Sequence, residues 1–198
     1  MNGLFFKIFE NVKIKKGYFI LLIFLTIISI VLGVVAAINF GGGIFTIDLS
    51  NISYIKFLQG NAGFMSFIFS MILSLVIFFS AILICNWKTF LLPLGIVFYL
   101  YLVYSQAVII VSLVLIYGIL NCIIFALLLV LYCFLVWFVF LILMIEVDCL
   151  RMESCYFKTC FSFQRSRVLL FLILLALLTF VFGMVLLILK NFVVLLIF

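Results

Sequence analysis

Phe90–Ile145 reads FLLPLGIVFYLYLVYSQAVIIVSLVLIYGILNCIIFALLLVLYCFLVWFVFLILMI, 56 residues without one charged side chain. A helix rises about 1.5 Å per residue, so crossing hydrocarbon about 30 Å thick takes roughly 20 apolar residues. The stretch is too long for one crossing and too short for three with their turns. It predicts a helical hairpin inside a bilayer. The turn falls at Tyr117-Gly118 through Asn121, the only turn-forming cluster in the run.

The rest of the chain has the same character. Hydrophobic residues make up 72% and charged residues 8%, where a water-soluble domain carries about a quarter charged. Mean hydropathy is +1.70. Upstream of the hairpin, Asn86-Trp87-Lys88-Thr89 forms a tight polar turn with Trp87 suited to the membrane interface. The reading is an all-α integral membrane bundle in a single domain. Its five spans lie at about 18–38, 64–85, 90–116, 122–145 and 168–189, with an outer loop at 39–62 and a cytoplasmic loop at 146–167. Span one is longer than a signal-peptide core and reads as an uncleaved anchor.

Charge orients the bundle. Nine of the eleven basic residues fall in the head before span one, the turn at Lys88, and the loop holding Arg151, Lys158, Arg165 and Arg167. These regions share one side in the five-span layout, where two spans separate each from the next; an even count would separate these groups. Positive residues concentrate on the cytoplasmic side, which places the N-terminus in and the C-terminus out. The net charge of +6 therefore reads as topology and attraction to anionic lipid, not as a nucleic-acid footprint. In the outer loop, Gly41-Gly42-Gly43 breaks the helix. Asp48 or Ser50 caps a short helix that ends at Gly60, with Ile52, Ile55 and Leu58 as an apolar face on the membrane surface.

Helices in lipid meet through small residues that let backbones approach. Three such sets occur at helical spacing: Ser29, Gly33 and Ala37 on span one; Gly63, Ser66, Ser70 and Ser74 on span two; Ala176, Thr179 and Gly183 on span five. They read as packing faces, with a polar pore lining as the alternative. Span three carries Tyr101, Ser105, Gln106 and Ser112 within the membrane. Gln106 is the most polar side chain deep in any span, and its amide needs partners there. It is expected to face the bundle, toward the span-two serines, as glue between helices or as a functional site. Glu146 and Asp148 at the end of span four are expected to be solvated or paired with Arg151.

Arg151, Lys158, Arg165 and Arg167 alternate with Tyr156, Phe157, Phe161 and Phe163. Such a segment suits contact with anionic lipid or a partner, lying in the membrane plane and at least partly helical; the bland alternative is that its charges only set topology. Chemistry is sparse. With no histidine, Ser-His and HExxH sites are excluded. No phosphate-binding loop occurs. Cys149, Cys155 and Cys160 lack the fourth ligand of a closed zinc site. No enzyme activity, cofactor or metal is expected.

Leu32-Gly33, Phe67 with Ser70, Pro93-Leu94, Phe98-Tyr99 and Tyr117-Gly118 give residues 18–145 a layout that resembles the stage II sporulation protein M family. Tyr104-Ser105-Gln106-Ala107 departs from that pattern, standing where a glycine-containing, often basic segment would be. The resemblance implies a non-enzymatic, multi-pass component of the bacterial plasma membrane, acting in the envelope remodelling of sporulation. The functional expectation is a scaffold that recruits a membrane or envelope protein. A small transporter or permease subunit with a polar path around Gln106 is the alternative, and a lipid-active enzyme ranks last.

Overall fold

A computed structural model describes residues 10–40, 56–57, 60–87, 89–117, 119–156 and 161–197. Five helices carry the fold: α1 (Lys16–Phe40), α2 (Phe64–Trp87), α3 (Leu92–Tyr117), α4 (Ile119–Tyr156) and α5 (Phe161–Ile197). Each holds a segment long and apolar enough to cross a membrane: Lys16–Asn39, Phe64–Cys85, Leu92–Leu115, Ile123–Cys149 and Val168–Leu189. No strand occurs among the described residues. The hairpin inside the uncharged stretch is α3 followed by α4, with Gly118 between them outside the described residues. Pro93 sits in the first turn of α3, where its missing amide proton costs little. A three-residue 3₁₀ turn, Thr89–Leu91, leads into it.

The helices form two layers. α3 lies between α1 and α2; α4 lies behind α3 and touches both of its neighbours; α5 packs on α4 and α2. α4 is the centre. Phe125, Leu129, Tyr132, Val136 and Phe140 form one inward stripe along it. Toward its end the stripe widens until Leu143–Cys149 are buried without a break, so the helix is enclosed on every side there. α1 is the least enclosed helix, with Phe24, Ile27, Val31 and Val35 facing outward. That exposed apolar surface suits lipid, which gives no hydrophobic drive for helix association, so cohesion falls to close packing and hydrogen bonds.

Gly60 adopts φ +81°, a conformation that glycine reaches without strain. Its amide bonds to Phe57 O (3.1 Å) and the Asn61 amide to Lys56 O (2.8 Å), the paired bonds of a glycine-terminated helix. The Phe57 ring stacks on Phe67 of α2 at 4.9 Å and is sealed in the core. Residues 56–57, between α1 and α2, are thus pinned to the bundle through Phe57. The expected apolar face at Ile52, Ile55 and Leu58 lies outside the described residues.

The segment expected as a loop, 146–167, is mostly helix. α4 runs to Tyr156 and α5 starts at Phe161. Nothing between Glu146 and Tyr156 stops a helix: there is no Gly or Pro, and charge alone does not end one. The 38 residues of α4 span about 57 Å, roughly twice the hydrocarbon thickness. Glu146–Tyr156 continues the span as one helix, and Phe161–Arg167 opens the next, as the expectation of a partly helical segment has it.

Candidate functional site

Residues 10–14 are helical and lead into α1. Bonds from Lys15 N to Asn11 O and from Phe19 N to Lys15 O, both 3.0 Å, carry the helix through the junction. Asn11 and Lys15 are four residues apart and share one face. Lys13 and Lys16 are exposed, whereas Asn11 is buried and Lys15 turns inward. The Asn11 side-chain amide donates to Glu146 Oε2 at 2.8 Å. The Lys15 ammonium lies 3.0 Å from Asp148 Oδ2. Glu146 is 1% exposed and Asp148 6%. Residues two apart on a helix point to nearly opposite sides, so two buried carboxylates at this spacing require the enclosure of α4 seen here.

Both acidic residues therefore differ from the expectation of a solvated edge; the Arg151 side chain, the other expected partner, lies outside the described residues. Asn11 and Lys15 lie against α4 at Glu146 and Asp148 and supply partners from more than 130 residues away. Taking an ion out of water costs several kcal/mol, and opposite charge with well-placed hydrogen bonds offsets that cost. The result is a polar clasp joining the start of α1 to the point where α4 leaves the membrane-spanning part of the bundle. Among the described residues, no group of three or more metal-ligating acidic, Cys or His side chains comes together.

Inside the bundle, polar side chains bond in pairs. Thr26 and Tyr99 hydroxyls meet at 2.9 Å, and Ser29 donates to Leu100 O at 2.7 Å, both joining α1 to α3. The Trp137 indole N–H donates to Gln106 Oε1, joining α3 to α4. Tyr132 and Thr179 hydroxyls meet at 3.2 Å, joining α4 to α5. Gln106 thus faces the bundle but meets Trp137, not the span-two serines. Ser105 bonds to Leu102 O of its own helix, and Ser112 is buried. Tyr101 is 58% exposed, whereas its neighbour Tyr99 is sealed.

The small-residue sets divide. On α1, Ser29 and Ala37 are buried, and a Cβ added to Gly33 would stand 2.9 Å from both Ala107 Cβ and Tyr104 O. On α5, Thr179 is fully buried, Ala176 half-buried, and a Cβ on Gly183 would meet Ile68 Cδ1 at 2.1 Å. Of the span-two set, Gly63, Ser66 and Ser74 are exposed within this chain, whereas Ser70 is half-buried and makes a contact. α2 instead turns Phe67, Ile68, Leu75, Phe79 and Ile82 inward, where large side chains fill the space against α4 and α5. A cavity of about 30 Å³ between α2 and α5 is apolar, lined by Leu75, Phe79, Leu172 and Leu175 among others. Apolar voids of this size stay dry.

Arg151 lies on the backbone of α4, and Arg165 and Arg167 on that of α5. Lys158 lies outside the described residues. Sequence reasoning missed Asn11, Trp137 and Phe57; the only available hint was the Asn11 and Lys15 spacing beside a polar head. Comparison with protein-family models, with curated proteins and with solved structures finds no match, so the functional reading rests on the chain's own geometry.

Proposed function

We propose that this chain is a non-enzymatic membrane scaffold. In this reading it recruits a membrane or envelope partner at the end of the bundle where α4 and α5 run beyond their spans. The carrying observation is the Asn11–Glu146 and Lys15–Asp148 clasp. It ties the head of the chain to the root of the α4 extension, which supports a braced platform over a loose loop. Arg151, Arg165 and Arg167 ride on the two extensions, and with Lys158 they suit anionic head groups or an acidic partner surface. The positive-inside bias assigns this end to the cytoplasm, with the C-terminus outside. The resemblance to the stage II sporulation protein M family points to the bacterial plasma membrane and to envelope remodelling in sporulation.

The pairwise bonding of interior polar groups also favours a scaffold. A permease path around Gln106 would require its bond to Trp137 to open. The test is affinity capture from native membranes in mild detergent, paired with solute flux in proteoliposomes. A specific partner that is lost when Arg151 and Lys158 become Gln supports the scaffold. Recovery without any partner, together with flux that Gln106→Leu abolishes, overturns it in favour of a permease.

A further inference from the structure

Lys13, Lys16, Ile20, Phe24, Ile27 and Val31 recur at spacings of 3, 4, 4, 3 and 4, so they share one face of the head and of α1. All six are exposed. Asn11, Lys15, Leu22 and Ser29, on the opposite face, turn to the bundle. The clasp enforces this sorting. With Lys15 held 3.0 Å from Asp148, Lys13 and Lys16 are left on the outer side. Among the described residues, neither of them forms an ion pair. Gly17 lies on the same side, and a Cβ added there would meet nothing within 4 Å, so the backbone is open beside the two lysines. Lys16 is also the first residue of the span Lys16–Asn39. Ile27 follows it by eleven residues, a rise of roughly 16–17 Å, close to half of hydrocarbon about 30 Å thick.

We propose that this face binds an anionic phospholipid of the leaflet at the N-terminal end of α1. The phosphate sits at Lys13 and Lys16, and an acyl chain lies along Ile20, Phe24 and Ile27. Charge complementarity selects the head group. Two lysines against the exposed Glu10 leave one net positive charge on the outer side of the head, which attracts an anion. A zwitterionic head group brings its own cation and gains less. Depth selects a lipid over an acidic peptide. The apolar part of the face starts one turn inside the span and runs the length of one leaflet, where a water-borne acidic segment cannot follow. A phospholipid joins charge to chain at that spacing. This site is separate from the arginines of the α4 and α5 extensions, and the inference does not depend on the scaffold reading.

The test is photocrosslinking of the full chain in liposomes of phosphatidylcholine with a minor fraction of phosphatidylglycerol. Benzoylphenylalanine replaces Ile20, or Leu127 as the control, and mass spectrometry reads which lipid is attached. Leu127 is exposed and lies within the uncharged stretch. Phosphatidylglycerol should exceed its bulk share about fivefold at Ile20, the effect of one net charge beside an anionic leaflet, and match it at Leu127. Lys13→Gln with Lys16→Gln should return Ile20 to the bulk share or below, and Glu10→Gln should raise the enrichment. Inorganic phosphate should displace the lipid no more than chloride of equal ionic strength. Equal shares at Ile20 and Leu127 overturn the proposal. So does enrichment that survives loss of both lysines, or displacement specific to phosphate, which marks a site for a free anion. In native membranes, an Ile20 adduct that is a protein and not a lipid overturns it in favour of an acidic partner.

Discussion

Replacing Lys15 by Met removes the cation from the clasp and keeps the length of its side chain. Asp148, 8% exposed at its side chain, is then left without that charge inside the bundle. Removing one partner of a fully buried pair costs about 3–5 kcal/mol. The Lys15 side chain is 24% exposed, so solvent already screens part of the interaction, and about 1–3 kcal/mol is the expected loss. The reverse change, Asp148→Asn, should cost less. A lysine near the opening can turn its ammonium to water while its stem stays packed, whereas a buried carboxylate that loses that cation cannot leave. The double variant should recover part of the loss, giving a coupling of about 1 kcal/mol or more in a double-mutant cycle. The assay is reversible unfolding in mixed detergent, read by far-UV circular dichroism for the four proteins. Equal, additive losses from the two single variants, or a Lys15→Met change under about 0.5 kcal/mol, would refute the argument that the clasp is a buried electrostatic joint.

Three further outcomes follow from the packing. Gly33→Ala places a methyl 2.9 Å from the Tyr104 carbonyl, where backbone must yield, and should lower stability by about 1–3 kcal/mol in the same unfolding assay. Gln106→Leu strands the Trp137 indole N–H and should cost about 1–3 kcal/mol, while Gln106→Leu with Trp137→Phe removes both partners and should restore most of it, as thermal melts in detergent would read. Ser66→Leu lies on the outward face of α2 and should shift stability by less than about 0.5 kcal/mol; a large loss would place that face against another helix.

The contrast between Gly33 and Ser66 shows where the sequence was legible. Span positions, the hairpin turn and the glycine stop at Gly60 are local properties, written in hydropathy and backbone freedom. The inward face of a membrane helix is not, because lipid and core are equally apolar and hydrophobic periodicity fades. Small-residue spacing was then the remaining signal. It is informative on α1, where Ser29 also finds Leu100 O across the interface. On α2 it misdirected, because a serine can turn outward and satisfy its hydroxyl on its own helix, as Ser80 does with Val76 O at 2.7 Å. The clasp was illegible for a different reason. Its acidic side was visible, but these partners lie at the other end of the chain, where no local spacing points to them. Helix continuation past Glu146 hid behind charge, which marks a membrane boundary without marking a helix end.

The account depends most on five crossings that put the head of the chain and the α4–α5 extensions on one side of the membrane. Reporter fusions at Gly60 and after Phe198 measure this directly. An external signal from both is the predicted result. A cytoplasmic signal at Gly60 would take away the crossing between it and the basic head, and one after Phe198 would take away the crossing that follows Arg167; either contradicts the five-span bundle.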